Sequence, residues 1–335
     1  MKELQKIAIV GAGSWGTALS MVAAESGRDV VLWTQDKTQA ELLASTRRNP
    51  FLLDAAPLLA ENIMPTSDLN QVLDADLVLI VVPSVAMRSV ASTLQNAELR
   101  PDAILVSCTK GIEQGTHCRM TQILKEYLPS NKIGALSGPN HAEDICMGLP
   151  SATLIGFEEQ DYADRVQRAL STGKFRVYTS NDVTSMELGG TIKNVFAIGA
   201  GLCVGLKIGD NALAALVTRG LAEMTRIGSL YGGNKETFMG LSGMGDLVVT
   251  CYSSHSRNQR VGQSLARGIS LQETLDSLKM VAEGVPNTRS IYEMAREVGA
   301  RTPLIDAVYS VLYEGKAPLS ALNELMNRDP RPEHD

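Results

Sequence analysis

The chain has 335 residues, 44% of them apolar, 20% charged and 4% aromatic, with a formal net charge of −6. That composition excludes a disordered or fibrous chain, and at about 150 residues per domain it predicts two domains. The acidic balance and the scarcity of aromatic side chains exclude a general nucleic-acid binder, which needs a positive footprint or a stacking platform.

The chain opens with a polar segment, Met1–Lys6, that runs straight into an apolar one, so no signal peptide is expected. Short β-rich runs then alternate with amphipathic stretches. The predicted strands are Lys6–Val10, Asp29–Trp33, Leu77–Val82, Ala103–Ser107, Ile133–Ser137, Ser151–Ile155 and Phe175–Tyr178. Between them fall the helical patterns Ser14–Ser26, Lys37–Thr46, Val85–Gln95, Arg119–Tyr127 and Tyr162–Leu170. Such alternation predicts an α/β domain of parallel strands with crossover helices. At the turn-rich Thr179–Asp182 the pattern changes, and the period is helical from there to Leu325. The predicted division is therefore 1–181 and 182–335, with 328–335 expected to be a disordered tail. The longest apolar stretch, Val195–Leu206, is shorter than the roughly 18–20 residues of a membrane span, so none is expected. Cys108, Cys118, Cys146, Cys203 and Cys251 are widely spaced with no C-x-x-C, which predicts reduced thiols and a cytoplasmic chain. Four histidines without ligand spacing predict no metal.

The first strand is followed by Gly11-Ala-Gly13-Ser14-Trp15-Gly16, which is G-x-G-x-x-G between a strand and a helix. In that context Gly11 makes the tight turn, Gly13 lets the backbone approach a pyrophosphate and Gly16 packs helix on strand. The helix start offers N–H groups to the phosphates. The second strand ends at Trp33, and Gln35 and Asp36 follow about 20 residues past Gly16. An acidic group there can bond the ribose hydroxyls and repel a 2′-phosphate; the alternative is a solvated loop aspartate. The expected cofactor is NAD or NADP, with NADH slightly preferred.

Three polar clusters lie where structure alone does not need them. Lys110, in Ser107-Cys-Thr-Lys110-Gly111, follows a strand whose carboxyl end should face a ligand cleft. Lys193, in Gly189-Gly-Thr-Ile-Lys193-Asn194, interrupts a small, apolar helix, and taken alone it reads more readily as a lysine snorkelling to the surface. Asp246 follows Gly243-Met-Gly245, and Ser256-Arg257-Asn258 reads as a polar loop whose guanidinium fork suits a phosphate, or as a surface loop with a helix cap.

Taken together with Ser137-Gly138-Pro-Asn140-His-Ala142, these motifs resemble the NAD(P)-dependent glycerol-3-phosphate dehydrogenases from about Ile7 to Leu325. That family pairs an N-terminal Rossmann-type parallel sheet domain with an all-α C-terminal domain, in agreement with the pattern above. The resemblance implies a hydride transfer between NAD(P)H and dihydroxyacetone phosphate, giving sn-glycerol 3-phosphate for glycerophospholipid synthesis. It implies that Lys193 gives or takes the proton, with Lys110, Asp246 and Thr250 beside it. Gly11, Gly13, Ser14, Trp15, Gly16, Lys110, Ala142, Arg257, Val281 and Glu283 match cofactor positions. Lys110, Gly138, Asn140, Lys193, Asp246, Ser256, Arg257 and Asn258 match substrate positions. A homodimer is expected, with a small phosphorylated molecule as the only other partner.

The chain departs from the family at Asn140, where relatives often carry Ser or Thr, and at Gln35-Asp36, where many carry a basic residue. The rivals are a dehydrogenase of hydroxy acids, which has less use for Ser256-Arg257-Asn258, and a dinucleotide-binding sensor, which has no use for Lys110, Lys193 and Asp246.

Overall fold

The computed structural model describes residues 3–52, 56–278 and 281–333. Eight strands form one sheet: β1 (Lys6–Val10), β2 (Asp29–Trp33), β3 (Ile63–Thr66), β4 (Leu77–Ile80), β5 (Ile104–Ser107), β6 (Lys132–Ser137), β7 (Ser151–Gly156) and β8 (Phe175–Ser180). Their order is β3-β2-β1-β4-β5-β6-β7-β8. The strands from β3 to β6 are parallel. The centre of the sheet is β1 and β4, wholly buried apart from Lys6 and covered on both faces, as a continuous Leu-Val-Leu-Ile run requires.

Two features depart from the sequence expectation. β3 was not foreseen: it is four residues long, contains Pro65 and pairs with β2 alone. Proline is tolerated in a strand at such an edge, but it hides the strand from pattern reading. β7 runs antiparallel to β6. The link between them carries only the helix Ala142–Cys146, whose five residues rise about 7.5 Å, against about 20 Å for six-residue β6. It is too short to return the chain to the start of the sheet.

The last strand ends at Ser180. Asp182 then caps a new helix, its carboxylate accepting the Ser185 N–H at 3.0 Å. This helix, Val183–Leu206, is the spine of the second half, and its residues 185–202 are all buried. By length and composition it could cross a membrane, but 83% of its most apolar window is covered by protein. Its glycine- and alanine-rich part packs inside the fold: a Cβ on Gly201 would stand 2.0 Å from the Gln259 carbonyl oxygen of the helix Arg257–Ala266. Around the spine lie Asp210–Leu230, Asp246–Tyr252, Gly284–Glu297, Pro303–Tyr313 and Pro318–Met326, and no strand occurs among the described residues after Ser180. The Glu333 carbonyl accepts a bond from Arg219, while His334 and Asp335, the end of the expected disordered tail, lie outside the described residues.

Candidate active site

The parallel strands end level with one another: Val10 pairs with Ile80, Ile80 with Ser107 and Ser107 with Ala135. The loops leaving these ends form one continuous wall. Gly11 turns at φ +118°, and a Cβ there would lie 2.2 Å from the Val81 carbonyl oxygen. Thr109 bonds back to the Val82 carbonyl at 2.7 Å. A Cβ on Gly111 would stand 2.3 Å from that of Ser84. The loops after β1, β4 and β5 thus touch in sequence.

The dinucleotide loop has the geometry its glycines require. Gly16 faces the Gly11 carbonyl too closely for any side chain. Gly13 has nothing within 4 Å of a Cβ position, so its approach is open. The helix Ser14–Glu25 starts with no side-chain cap. Its first N–H groups therefore have no partner from a capping residue and can serve an anion. Ser14 is buried at the helix start, and Trp15 packs half-buried on the core. These observations fit a dinucleotide pyrophosphate. Gln35 and Asp36 are exposed beyond β2, and Asp36 caps the helix Lys37–Thr46, one carboxylate oxygen accepting the Gln39 N–H at 3.1 Å. The aspartate is a cap as well as a candidate ribose ligand.

Lys110, Lys193 and Asp246 converge, although they lie in three distant stretches of sequence. Lys110 Nζ is 2.5 Å from Asp246 Oδ2 and donates to the Gly138 carbonyl at 2.9 Å. Lys193 Nζ is 2.9 Å from Asp246 Oδ1 and 2.6 Å from the Thr250 hydroxyl. Thr250, one turn beyond Asp246, passes the chain on to the Asp246 carbonyl at 2.6 Å. Lys193 does not snorkel: only 6% of the residue is exposed. The convergence depends on Gly190, whose missing Cβ leaves room for the Ser137 hydroxyl 2.6 Å away and for the Lys110 chain. The Lys110 loop is further held by the buried amide of Asn287, which accepts the Ile112 N–H and donates to the Lys110 carbonyl.

Burial sets the charges. Desolvation pulls the Lys193 ammonium down to about 8, against the pull of Asp246 upward. Burial would raise the Asp246 carboxyl, but Lys110 and Lys193 outweigh it and hold the group below the ordinary aspartate value. Asp246 is therefore ionised between two cations, one of which, Lys193, gives up its proton at about pH 8.

The remaining residues divide. Arg257 is not in a loop but opens the helix Arg257–Ala266, exposed, and its guanidinium donates to the Val281 carbonyl at 2.8 Å. Ser256 is that helix's cap, accepting the Gln259 N–H. The Asn258 side chain does not accompany Arg257: it donates to Asn194 and accepts the Gly284 N–H, both at 2.9 Å, and so ties three helices together. The helix was hidden in the sequence because Ser253–Asn258 is uniformly polar and carries no apolar period. Glu283 accepts both the backbone N–H and the hydroxyl of Ser84, at 2.9 and 2.6 Å, and so joins the helical half to the sheet. The Asn140 amide binds across to strand β7, donating to the Ala152 carbonyl and accepting the Thr153 hydroxyl. Ala142 is buried at the start of its short helix. Sequence reasoning missed Asn287, Ser84 and His141, polar residues outside any glycine-rich motif or, for His141, overlooked within one.

Residues 6–163 match the family model for the N-terminus of NAD-dependent glycerol-3-phosphate dehydrogenase, and residues 182–323 match the model for its C-terminus. A glycerol-3-phosphate dehydrogenase (NAD(P)+) of Halothermothrix orenii is 42% identical over 332 residues, 98% of this chain and 96% of that one. One of the same description from Lysinibacillus sphaericus is 43% identical over 99% of both chains. The crystal structure of glycerol-3-phosphate dehydrogenase from Coxiella burnetii superposes with a TM-score of 0.92 at 34% identity, covering 97% of this chain and 99% of that one.

Proposed function

The chain belongs to the NAD-dependent glycerol-3-phosphate dehydrogenase family, and from that membership we propose how its own residues perform the reaction. It is an oxidoreductase that interconverts dihydroxyacetone phosphate and sn-glycerol 3-phosphate with NAD(P)H. When bound, the nicotinamide supplies or takes up the hydride at substrate C2. Gly11, Gly13, Ser14, Trp15 and Gly16 hold the dinucleotide, with Gln35 and Asp36 toward the ribose and Ala142, Val281 and Glu283 along its course.

Reduction leaves a developing alkoxide on the substrate carbonyl oxygen. The Lys193 ammonium gives that oxygen its proton; in oxidation the neutral amine takes it back. Lys110 adds a positive charge beside the oxyanion, in a buried setting where such charge acts strongly. Asp246 fixes both ammonium groups, and Thr250 fixes the approach of Lys193. Arg257 and the first-turn N–H groups of its helix hold the phosphate, with Ser256 capping that turn. Holding the remote phosphate orients C2. Gly138 and Asn140 shape the loop against which Lys110 is held.

The observation that carries this reading is the Asp246 carboxylate bridging a lysine from the loop after β5 and a lysine from the spine helix. The cleft thus uses both halves of the chain, and we place their division at 181/182. The test is spectrophotometric: addition of dihydroxyacetone phosphate to chain and NADH or NADPH should consume the reduced cofactor, and no consumption with either would refute the activity. We also propose a cytoplasmic homodimer feeding glycerophospholipid synthesis. The five unpaired cysteines suit a reducing compartment, and a single-subunit mass in sedimentation equilibrium would contradict the dimer.

A further inference from the structure

His141 sits at the cap position of the helix Ala142–Cys146, yet its side chain makes no cap bond. The ring lies in the field of Lys193, Lys110 and Asp246. On the other side it meets the ring of His255, at 6.3 Å between centroids and 56° between planes, two residues before Arg257. It therefore adjoins both the proton-transfer cluster and the segment that leads into Arg257. Its Nε2 is closed off from solvent and has no hydrogen-bond partner among the described residues. A buried polar atom without a partner is costly to keep, and the bond that the ring makes to the Val249 backbone leaves Nε2 unserved. The position is that of an atom awaiting a partner on the substrate.

The chemistry of the cleft narrows which substrate group that is. Desolvation, with Lys193 and Lys110 acting in the same direction, holds the ring below the ordinary histidine value, so it is neutral. A dianionic phosphate calls for a cation, and Arg257 supplies one. The C2 carbonyl oxygen has Lys193 and Lys110. The polar group of dihydroxyacetone phosphate left over is its C1 hydroxyl, which is neutral and can give or accept a hydrogen bond. Resting on the reaction stated above, we propose that His141 is a substrate-contacting residue whose Nε2 hydrogen-bonds the C1 hydroxyl, and that it selects for a hydroxyketone over the same ketone without that hydroxyl.

The test compares His141→Ala and His141→Gln with the wild type on two ketones: dihydroxyacetone phosphate and its 1-deoxy analogue, acetol phosphate. The readout is kcat/KM, or the inhibition constant against dihydroxyacetone phosphate if acetol phosphate turns over too slowly to follow. His141→Ala should lower the value for dihydroxyacetone phosphate about tenfold, the worth of one hydrogen bond in a dry site. The same variant should leave acetol phosphate within about twofold of wild type. His141→Gln, which keeps a polar group at similar reach, should restore most of the loss. Equal losses on both ketones would mark a purely structural role and overturn the proposal, as would no loss on either or a Gln variant no better than Ala. Wild-type turnover of dihydroxyacetone phosphate, measured in the same series, separates this failure from failure of the reaction itself.

Discussion

The Nζ of Lys193 lies 2.9 Å from Oδ1 of Asp246, a carboxylate that is only 1% exposed. No water is needed to place a proton there: the amine is held by Asp246 and Thr250 and faces the Lys110 ammonium across the same carboxylate. Lys193→Ala should lower kcat by about 10²–10⁴, the usual worth of a positioned acid. Steady-state kinetics decide it, and a variant within about tenfold of the wild type would remove Lys193 from the mechanism.

The depressed Lys193 value gives the reaction a direction-dependent pH profile. Reduction needs the ammonium form, so its kcat/KM should fall as pH rises through about 8. Oxidation needs the neutral amine and should rise through the same pH. Asp246→Asn removes the charge that opposes desolvation, so both limbs should move to lower pH. It also leaves two ammonium groups without a counter-charge, at a cost of up to about 3–5 kcal/mol at neutral pH. Because the buried amine in the variant titrates below its unfolded value, stability should recover as pH rises above that lowered value. Urea melts at pH 7 and pH 9 would show it, and a penalty that grows with pH would mean that the lysines are not the charged groups relieved.

Much of this site was legible because its residues interrupt patterns. Gly11, Gly13 and Gly16 stand between a strand and a helix, and Lys193 breaks an apolar helix, although only the resemblance told it apart from a lysine snorkelling to the surface, since the burial of that helix is a tertiary fact. The pairing of Lys193 with Asp246 and Lys110 was legible only through the family resemblance, because in the chain itself it depends on tertiary crossings made possible by Gly190 and by the turn before Asp246. Asn258, matched to a substrate position, has its amide taken up by Asn194 and Gly284, bonds between helices that the sequence does not show. Edge strand β3 and antiparallel β7 escaped because alternation of strand and helix reports neither position in a sheet nor direction.

Arg257 is exposed, and among the described residues its guanidinium has one hydrogen bond, the one to Val281, so its fork has donors for a phosphate. Arg257→Ala should raise KM for dihydroxyacetone phosphate about 10–100-fold, the range for a bond to a charged group. The same variant should change the efficiency with unphosphorylated dihydroxyacetone far less. An equal loss on both ketones would assign Arg257 to the Val281 segment rather than to the phosphate.

Asp36 carries two roles that one substitution confounds and another separates. Its Oδ1 caps the helix Lys37–Thr46 through the Gln39 N–H, and its charge stands just beyond β2, where the adenosine ribose belongs. Asp36→Ala should therefore cost about 1 kcal/mol of stability through the lost cap, whatever its effect on the cofactor. Asp36→Asn keeps a good capping side chain while discarding the charge that repels a 2′-phosphate. Its melting temperature should match that of the wild type, and its ratio of kcat/KM for NADPH over NADH should rise. If the ratio stays fixed while Asp36→Ala alone loses stability, the aspartate is a helix cap, and the choice between the two cofactors is made elsewhere in the cleft.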